Sequence, residues 1–183
     1  MHGLPASCGD GALTPTGTAQ LRGRLLLLVS IVAAVVLVDQ VVKAVVLDVL
    51  EPGRFVPLLG PSIGWQLVFN PGAAFGLRLP PVIFPLVTLV LAVVVVRALD
   101  AATPRFLILG QGLVVGGAIG NVIDRVVRSG DGSWIGGSVV DFVAWGSFPR
   151  FNVADASITV GVALFLLAAL LEERAQRGSD APS

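Results

Sequence analysis

The chain alternates long apolar runs with polar segments that are rich in Gly and Pro. An α-helix of about 20 apolar residues crosses the ~30 Å hydrocarbon core of a bilayer. The apolar runs therefore predict four transmembrane helices, which we place at residues 25–47, 82–99, 104–123 and 154–171. In the third run, Gly112, Gly116 and Gly120 recur every four residues. Small residues at this spacing allow close helix packing in lipid, so we predict packing contacts there.

The remaining segments complete a single-domain organisation. Residues 1–23 are rich in Gly, Ala, Thr and Pro and predict a disordered tail, residues 24–171 form the four-span domain, and residues 172–183 form a polar tail. Arg22 and Arg24 before a short apolar run are also typical of a secretory signal peptide. Because no clear small-x-small cleavage site follows, we expect this segment to be retained as the first span.

Two longer connections are predicted as loops, at residues 51–81 and 126–150. The first contains a run typical of a β-strand, Trp65–Phe69, directly before Asn70. Four spans place both termini on one side of the membrane and these two loops together on the other. The polar residues of interest then converge on one face: Asp39, Lys43, Asn70, Asn121, Asp124, Asp141, Asn152 and Asp155. This convergence predicts a single site.

Orientation depends on the positive charges near the ends of the spans. The Lys and Arg residues divide six against six between the two sides, so their number alone does not decide it. The six basic residues on the side of the termini lie in shorter segments, including the link between Arg97 and Arg105. By the positive-inside rule we predict cytoplasmic termini and an outward-facing site.

Composition narrows the chemistry further. Hydrophobic residues make up 55% of the chain and charged residues 13%, against about 25% charged in soluble domains. His2 and Cys8 are the single histidine and cysteine, which excludes a Ser–His–Asp triad, a disulfide framework and a Cys/His zinc site. The formal net charge is zero and indicates no nucleic-acid partner. Acid–base chemistry must therefore come from carboxylates.

Two aspartates fit the roles of acid and base. Asp141 has apolar neighbours on both sides, and desolvation would raise its pKa, as a general acid requires. Asp155 opens the last span, where a helix N-terminus favours the ionised carboxylate. Two aspartates that share a proton can activate a water for attack on an amide. Asp124 is followed directly by Arg125. Because a carboxylate with a nearby cation stays ionised, Asp124 better suits a structural or orienting role.

Each aspartate also has a simpler interpretation. Asp155 could belong to a helix-start pattern with Asn152 as N-cap. Asp141 could be a solvated loop residue. Asp39 and Lys43, spaced i and i+4, could form a helix salt bridge and nothing more.

Five motifs stand in a specific order along residues 24–171. They are Asp39-Gln40 with Lys43, the segment 70–75 (NPGAAF), the segment 116–125 (GGAIGNVIDR), the segment 139–142 (VVDF) and the segment 151–155 (FNVAD). In this order the chain resembles the lipoprotein signal peptidase (signal peptidase II) family. Many relatives carry Ser after the second catalytic aspartate, where this chain has Ala156.

The resemblance implies a fold, an activity and a site. The fold is an all-α membrane protein of four transmembrane helices with a small extracytoplasmic β-cradle, near residues 65–75, and a loop lid. The activity is that of an aspartic endopeptidase, which removes signal peptides from diacylglyceryl-modified prolipoproteins before the lipidated cysteine. The catalytic aspartates fall on Asp141 and Asp155. The residues that line or brace the site are Asp39, Lys43, Asn70, Gly72, Gly117, Asn121, Asp124, Arg125, Asn152 and Ala154.

We accordingly expect a monomer in the bacterial cell membrane, with lipid-modified prolipoproteins and membrane lipid as partners and with neither metal nor cofactor. Two other classes remain open. A proton-coupled transporter would carry its charges near mid-span and show internal inverted repeats, whereas these spans have apolar middles. A non-enzymatic scaffold would tolerate loss of the aspartates.

Overall fold

The computed structural model describes residues 15–72, 79–130 and 134–179. In chain order, its elements are α1 (Pro15–Val49), β1 (Phe55–Leu59), β2 (Ile63–Asn70), α2 (Ile83–Ala98), α3 (Arg105–Val127), β3 (Val139–Trp145) and α4 (Val153–Ser179).

Helix α3 lies at the centre of the bundle, packed against α1 and α4 and more lightly against α2. Its glycines determine how closely the helices approach. A Cβ atom at Gly112 would lie 2.5 Å from Ile31 of α1, and one at Gly116 would lie 2.8 Å from Val35. Only a residue without a side chain fits at such distances, so the predicted packing role of these glycines is confirmed.

Among the described residues, three helical segments are long and apolar enough to cross a membrane: Gly17–Val49, Arg105–Val127 and Val153–Leu171. Helix α2 is apolar but has 16 residues, which gives a length of about 24 Å. Four helices therefore form at the predicted places, while four complete spans stay a prediction. Helix α3 begins after Pro104, which has an extended backbone, and it continues four residues past the predicted end.

Both terminal helices extend into the segments that were predicted as tails. Helix α1 begins at Pro15, so the disorder predicted for residues 15–23 is wrong, and residues 1–14 of that tail lie outside the described residues. Once a helix exists, each added residue gains a hydrogen bond, and proline is tolerated at a first helical position. Helix α4 likewise continues to Ser179, through a polar segment rich in helix-forming Glu, Arg and Ala.

The three strands form one antiparallel sheet in the order β1-β2-β3. Strand β2 contains the predicted strand Trp65–Phe69, which is confirmed. Strands β1 and β3 lie in segments that were predicted as loops, and that prediction is wrong. Strand β3 is buried along nearly its whole length, so its sequence lacks the polar–apolar alternation that marks a half-exposed strand.

The sheet lies on the end of α1. A cluster of buried side chains joins them: Val46 of α1, Leu67 of β2, and Val140 and Phe142 of β3. Strand β2 follows α1 and strand β3 follows α3, and they pair with Asn70 opposite Val139 and Val68 opposite Asp141. The two long connections therefore meet at one end of the bundle, as the parity argument predicts. The polar segments that flank the sheet are held there.

Candidate active site

Asp141 lies in the middle of β3 and is buried. Its Oδ2 accepts a hydrogen bond from Asn70 Nδ2 at 3.0 Å, and its Oδ1 accepts one from Asn152 Nδ2 at 2.7 Å. Burial raises the pKa of Asp141 to about 7, the two amide donors oppose this shift, and the nearby Asp155 carboxylate adds to it. Asp141 can therefore both hold and release a proton near neutral pH. It is not the solvated loop residue of the simpler interpretation.

Asp155 lies in the first turn of α4 and takes part in a reciprocal helix cap. Its backbone N–H donates to Asn152 Oδ1 at 2.9 Å, and the backbone N–H of Asn152 donates to Asp155 Oδ2 at 3.2 Å. This arrangement is a capping box, so the helix-start interpretation is correct in geometry. However, Asp155 Oδ1 also accepts a hydrogen bond from Asn121 Nδ2 at 2.8 Å, which joins it to α3.

Two asparagine side chains connect the aspartates. Asn152 Nδ2 donates to Asp141, while its Oδ1 caps Asp155. The same Nδ2 lies 3.2 Å from Oδ1 of Asn121, whose own Nδ2 contacts Asp155. The carboxylates of β3 and α4 thus belong to one hydrogen-bonded group.

A buried ion cluster lies behind this group. Lys43 Nζ is 2.8 Å from Asp39 Oδ2 and 2.9 Å from Asp124 Oδ2, and it donates to Asn121 Oδ1 at 3.2 Å. The exposed fraction of the Lys43, Asp39 and Asp124 side chains is 1% or less. The i,i+4 salt bridge between Asp39 and Lys43 is therefore real, but it is one side of a larger cluster that spans α1 and α3.

Asp124 and Arg125 face different sides of α3, because successive helix residues are about 100° apart. Asp124 pairs with Lys43, so the expectation that Arg125 is its cation is wrong. Arg125 Nη2 donates to the carbonyl of Gly72 at 2.6 Å, and its Nη1 donates to the carbonyl of Gly137 at 3.4 Å. Its guanidinium carbon also lies 3.6 Å from the centroid of the Phe84 ring. Arg125 therefore braces the chain that follows β2 against the chain that precedes β3.

The remaining predicted residues fix backbone positions. Ala154 donates its N–H to Asp39 Oδ1 at 2.9 Å. A Cβ atom at Gly117 would lie 2.4 Å from the Ala154 carbonyl oxygen, so glycine permits the close contact of α3 with the start of α4. Gly72 donates its N–H to Asn70 Oδ1 at 3.0 Å.

A cleft of about 980 Å³ opens beside the aspartates. The predicted residues that line it are Asn70, Gly72, Asn121, Arg125, Asp141 and Asp155. Phe84, Val87 and Ile158 contribute to an apolar wall. The other predicted site residues are not among those that line the cleft: Asp39, Lys43, Gly117, Asp124, Asn152 and Ala154. A cleft with one carboxylate-bearing region and long apolar walls can hold an extended apolar peptide segment beside acid–base groups.

Comparison with known proteins decides the family. The profile described as signal peptidase (SPase) II matches residues 31–171. This chain belongs to the signal peptidase II family. Lipoprotein signal peptidase of Shouchella clausii is 37% identical to it over 154 residues, 81% of this chain and 97% of the relative. The corresponding protein of Rhodococcus jostii is 39% identical over 162 residues, 86% of this chain and 81% of the relative.

Solved structures agree with this assignment. A bacterial membrane enzyme determined by the in meso method at 2.3 Å superposes with a TM-score of 0.69 and 28% identity, covering 85% of this chain and 94% of that one. A second, determined at 1.9 Å, gives a TM-score of 0.65 at 29% identity, covering 78% and 92%. The chain is thus a bacterial membrane peptidase of the signal peptidase II family.

Some contacts of this signal peptidase II site were not predicted. Gln40 Nε2 lies 3.1 Å from Asp39 Oδ2, 3.2 Å from the Gly120 carbonyl and 3.3 Å from Asp124 Oδ1. A polar residue beside Asp39 in an apolar helix was a signal that could have identified Gln40. Phe84 carried no such signal, because its contact with Arg125 depends on how α2 packs against α3. Among described residues, no group of three or more His, Cys, Asp or Glu side chains is placed to hold a metal ion.

Proposed function

We propose that this peptidase removes signal peptides from diacylglyceryl-modified bacterial prolipoproteins by cleaving the peptide bond before the lipidated cysteine. The observation that carries this proposal is that Asp141 and Asp155 both accept hydrogen bonds from Asn152 and both line a cleft with apolar sides. The curated relatives at 37% and 39% identity are named lipoprotein signal peptidases, which supports this substrate class.

In the proposed reaction, a water held between the two aspartates attacks the carbonyl carbon of the scissile bond. Asp155 takes a proton from the water, while protonated Asp141 donates its proton to the carbonyl oxygen. The tetrahedral intermediate then collapses and the C–N bond breaks. The proton on Asp155 passes to the departing amine, and a hydroxyl of the intermediate returns a proton to Asp141. The raised pKa of Asp141 supports its assignment as the group that begins protonated.

Other residues would hold this arrangement. Asn70, Asn121 and Asn152 donate to the two carboxylates, and Arg125 holds the segments that flank the cleft. The diacylglyceryl chains of the substrate would stay in lipid and orient the scissile bond at the membrane surface. The proposal also includes four membrane spans with cytoplasmic termini and an extracytoplasmic site. It further includes a loop lid and action as a monomer.

The direct test is cleavage of a purified lipid-modified prolipoprotein by Asp141→Asn and Asp155→Asn. Each variant should lose at least about 100-fold in kcat, since general acid–base groups contribute roughly 10²–10⁴-fold. Asp48→Asn is the matched control, because Asp48 lies exposed on α1 near the same end of the bundle. It should keep wild-type activity.

Full processing by either Asp141→Asn or Asp155→Asn would reject the dyad. Asp124→Asn should impair folding or substrate binding more than the chemical step, because Asp124 contacts Lys43 and the backbone of β3. A well-folded Asp124→Asn protein with normal substrate binding and no activity would contradict the choice of Asp141 and Asp155.

A further inference from the structure

Each proposed catalytic aspartate follows a residue whose backbone is held by a carboxylate from behind. Asp39 Oδ1 accepts the N–H of Ala154, directly before Asp155, at 2.9 Å. Asp124 Oδ2 accepts the N–H of Val140, directly before Asp141, at 3.0 Å. The same type of contact therefore fixes α4 and β3 at the two places from which the dyad projects.

Lys43 joins these two anchors. An ammonium group has three donors and no acceptor, and the three acceptors around Nζ are Asp39 Oδ2, Asp124 Oδ2 and Asn121 Oδ1. Lys43 is almost fully buried, so water does not compete for these contacts. One cation thus fixes the spacing between a carboxylate that holds α4 and another that holds β3.

Lys43 also sets the direction of an amide. Because Nζ only donates, the neighbouring atom of Asn121 must be its oxygen, a requirement that Asn152 Nδ2 shares. The amide nitrogen of Asn121 must then face Asp155 Oδ1, as observed at 2.8 Å. Reversal of this amide would place oxygen against carboxylate and would remove a donor from the dyad.

Building on the proposed function, we propose that Lys43 is a positioning residue for peptide cleavage. It couples the Asp39 and Asp124 anchors and orients the Asn121 amide, so that the two catalytic carboxylates stand at the spacing and with the donors that the reaction needs. Lys43 is not among the residues that line the cleft, so we assign it no contact with substrate. Its loss should therefore lower kcat far more than it changes KM.

The charges around Lys43 define the accompanying pH effect. Asp39 faces it from α1 and Asp124 from α3, with Arg128 3.8 Å from Asp124. Asp141 of β3, Asp155 of α4 and Arg125 of α3 lie on the cleft side. The Lys43 cation lowers the pKa of Asp141, in opposition to burial. Its removal should raise that pKa and move the alkaline limb of the activity profile to higher pH.

The test uses the full-length enzyme in lipid, with a lipid-modified prolipoprotein as substrate. Lys43→Met should lower kcat by about 100-fold, the scale of loss from a small misplacement of reacting groups, with little change in KM. Its alkaline limb should move upward, and Lys43→Arg should restore part of kcat. Arg54→Met is the control, because Arg54 forms an exposed ion pair with Glu51 outside the cleft and should leave activity unchanged.

A second variant addresses the carboxylates that Lys43→Met leaves without their cation. The double change Lys43→Met with Asp124→Asn keeps the net charge of the cluster and should show the same loss of kcat and the same displaced limb. If either variant keeps the wild-type kcat and pH profile, the positioning role of Lys43 is overturned. An inactive Asp141→Asn in the same assay would show that the proposed function stays intact. Failure of the wild-type enzyme to cleave the lipid-modified substrate would instead overturn the proposed function.

Discussion

Asp141 shows how a single residue combines function with a cost in stability. Burial favours its neutral form, whereas the amides of Asn70 and Asn152 favour the carboxylate. The first influence is larger and raises the pKa from 3.8 to about 7. A pKa near neutral suits proton transfer, but the folded state must then accommodate a buried charge at higher pH.

The pH dependence of stability tests this balance. Because the folded-state pKa lies above the unfolded value, the contribution of Asp141 is fully present below pH 3.8 and is lost as pH rises through about 7. The separation corresponds to about 4 kcal/mol at most. Asp141→Asn cannot ionise, so its melting temperature relative to wild type should rise between about pH 4 and about pH 7 and stay level at higher pH.

The measurement is thermal unfolding in detergent across this range. Asp48→Asn, at an exposed position, provides the control for loss of a carboxylate. A difference between Asp141→Asn and wild type that stays constant across the pH range would show that burial of Asp141 carries no such cost.

Sequence reasoning worked at this scale where a local pattern was sufficient. The apolar neighbours of Asp141 predicted its burial, and the spacing of Asp39 and Lys43 predicted their salt bridge. Sequence reasoning did not identify the cation that pairs with Asp124. That cation is Lys43, which lies 81 positions earlier in the chain, and the contact depends on how α1 and α3 pack. Neighbours in sequence on a helix face different ways, so adjacency to Arg125 was misleading.

At the scale of elements, the helices and strand β2 were predictable from the sequence, whereas strands β1 and β3 were not. An apolar run of helical length carries its own signal, whereas β3 is short and buried on both faces. Its segment contains VVDFVAW, which has strand propensity but no alternation. Pairing with β2, more than 60 residues earlier in the chain, makes it a strand. The prediction of disorder for residues 15–23 failed because composition alone did not reveal that α1 begins as early as Pro15.

Gly117 tests the contact between α3 and α4. Gly117→Ala would place a Cβ atom 2.4 Å from the carbonyl oxygen of Ala154, a backbone atom that must shift. We expect a loss of about 1–3 kcal/mol in stability, as for other overpacked positions, together with reduced kcat because Asp155 follows Ala154. Thermal unfolding and cleavage assays measure the two effects.

The control for Gly117→Ala is Gly23→Ala in α1, where nothing lies within 4 Å of the added atom. This change should stabilise the helix by roughly 0.5–1 kcal/mol. Equal effects of the two substitutions would mean that the close approach of α4 to Gly117 does not constrain the bundle.

At the scale of the whole molecule, pairing of β2 with β3 brings the connections that follow α1 and α3 to the same end of the helix bundle. The sequence predicted this arrangement from the parity of four spans, without knowledge of the sheet. The weak point of that argument is α2, since its 16 residues give about 24 Å against a hydrocarbon core of ~30 Å. A short apolar helix can still span by standing upright and thinning the bilayer locally.

Accessibility of single cysteines decides whether α2 crosses the membrane. In a Cys8→Ser background, Ser62→Cys reports the turn between β1 and β2, and Ala102→Cys reports the link between α2 and α3; both positions are exposed. Arg97 and Arg105 flank that link, so the positive-inside rule places it in the cytoplasm. A membrane-impermeant maleimide should label Ser62→Cys in intact cells and Ala102→Cys only after permeabilisation. Labelling of both in intact cells would place the two ends of α2 on one side and would leave the bundle with an odd number of spans.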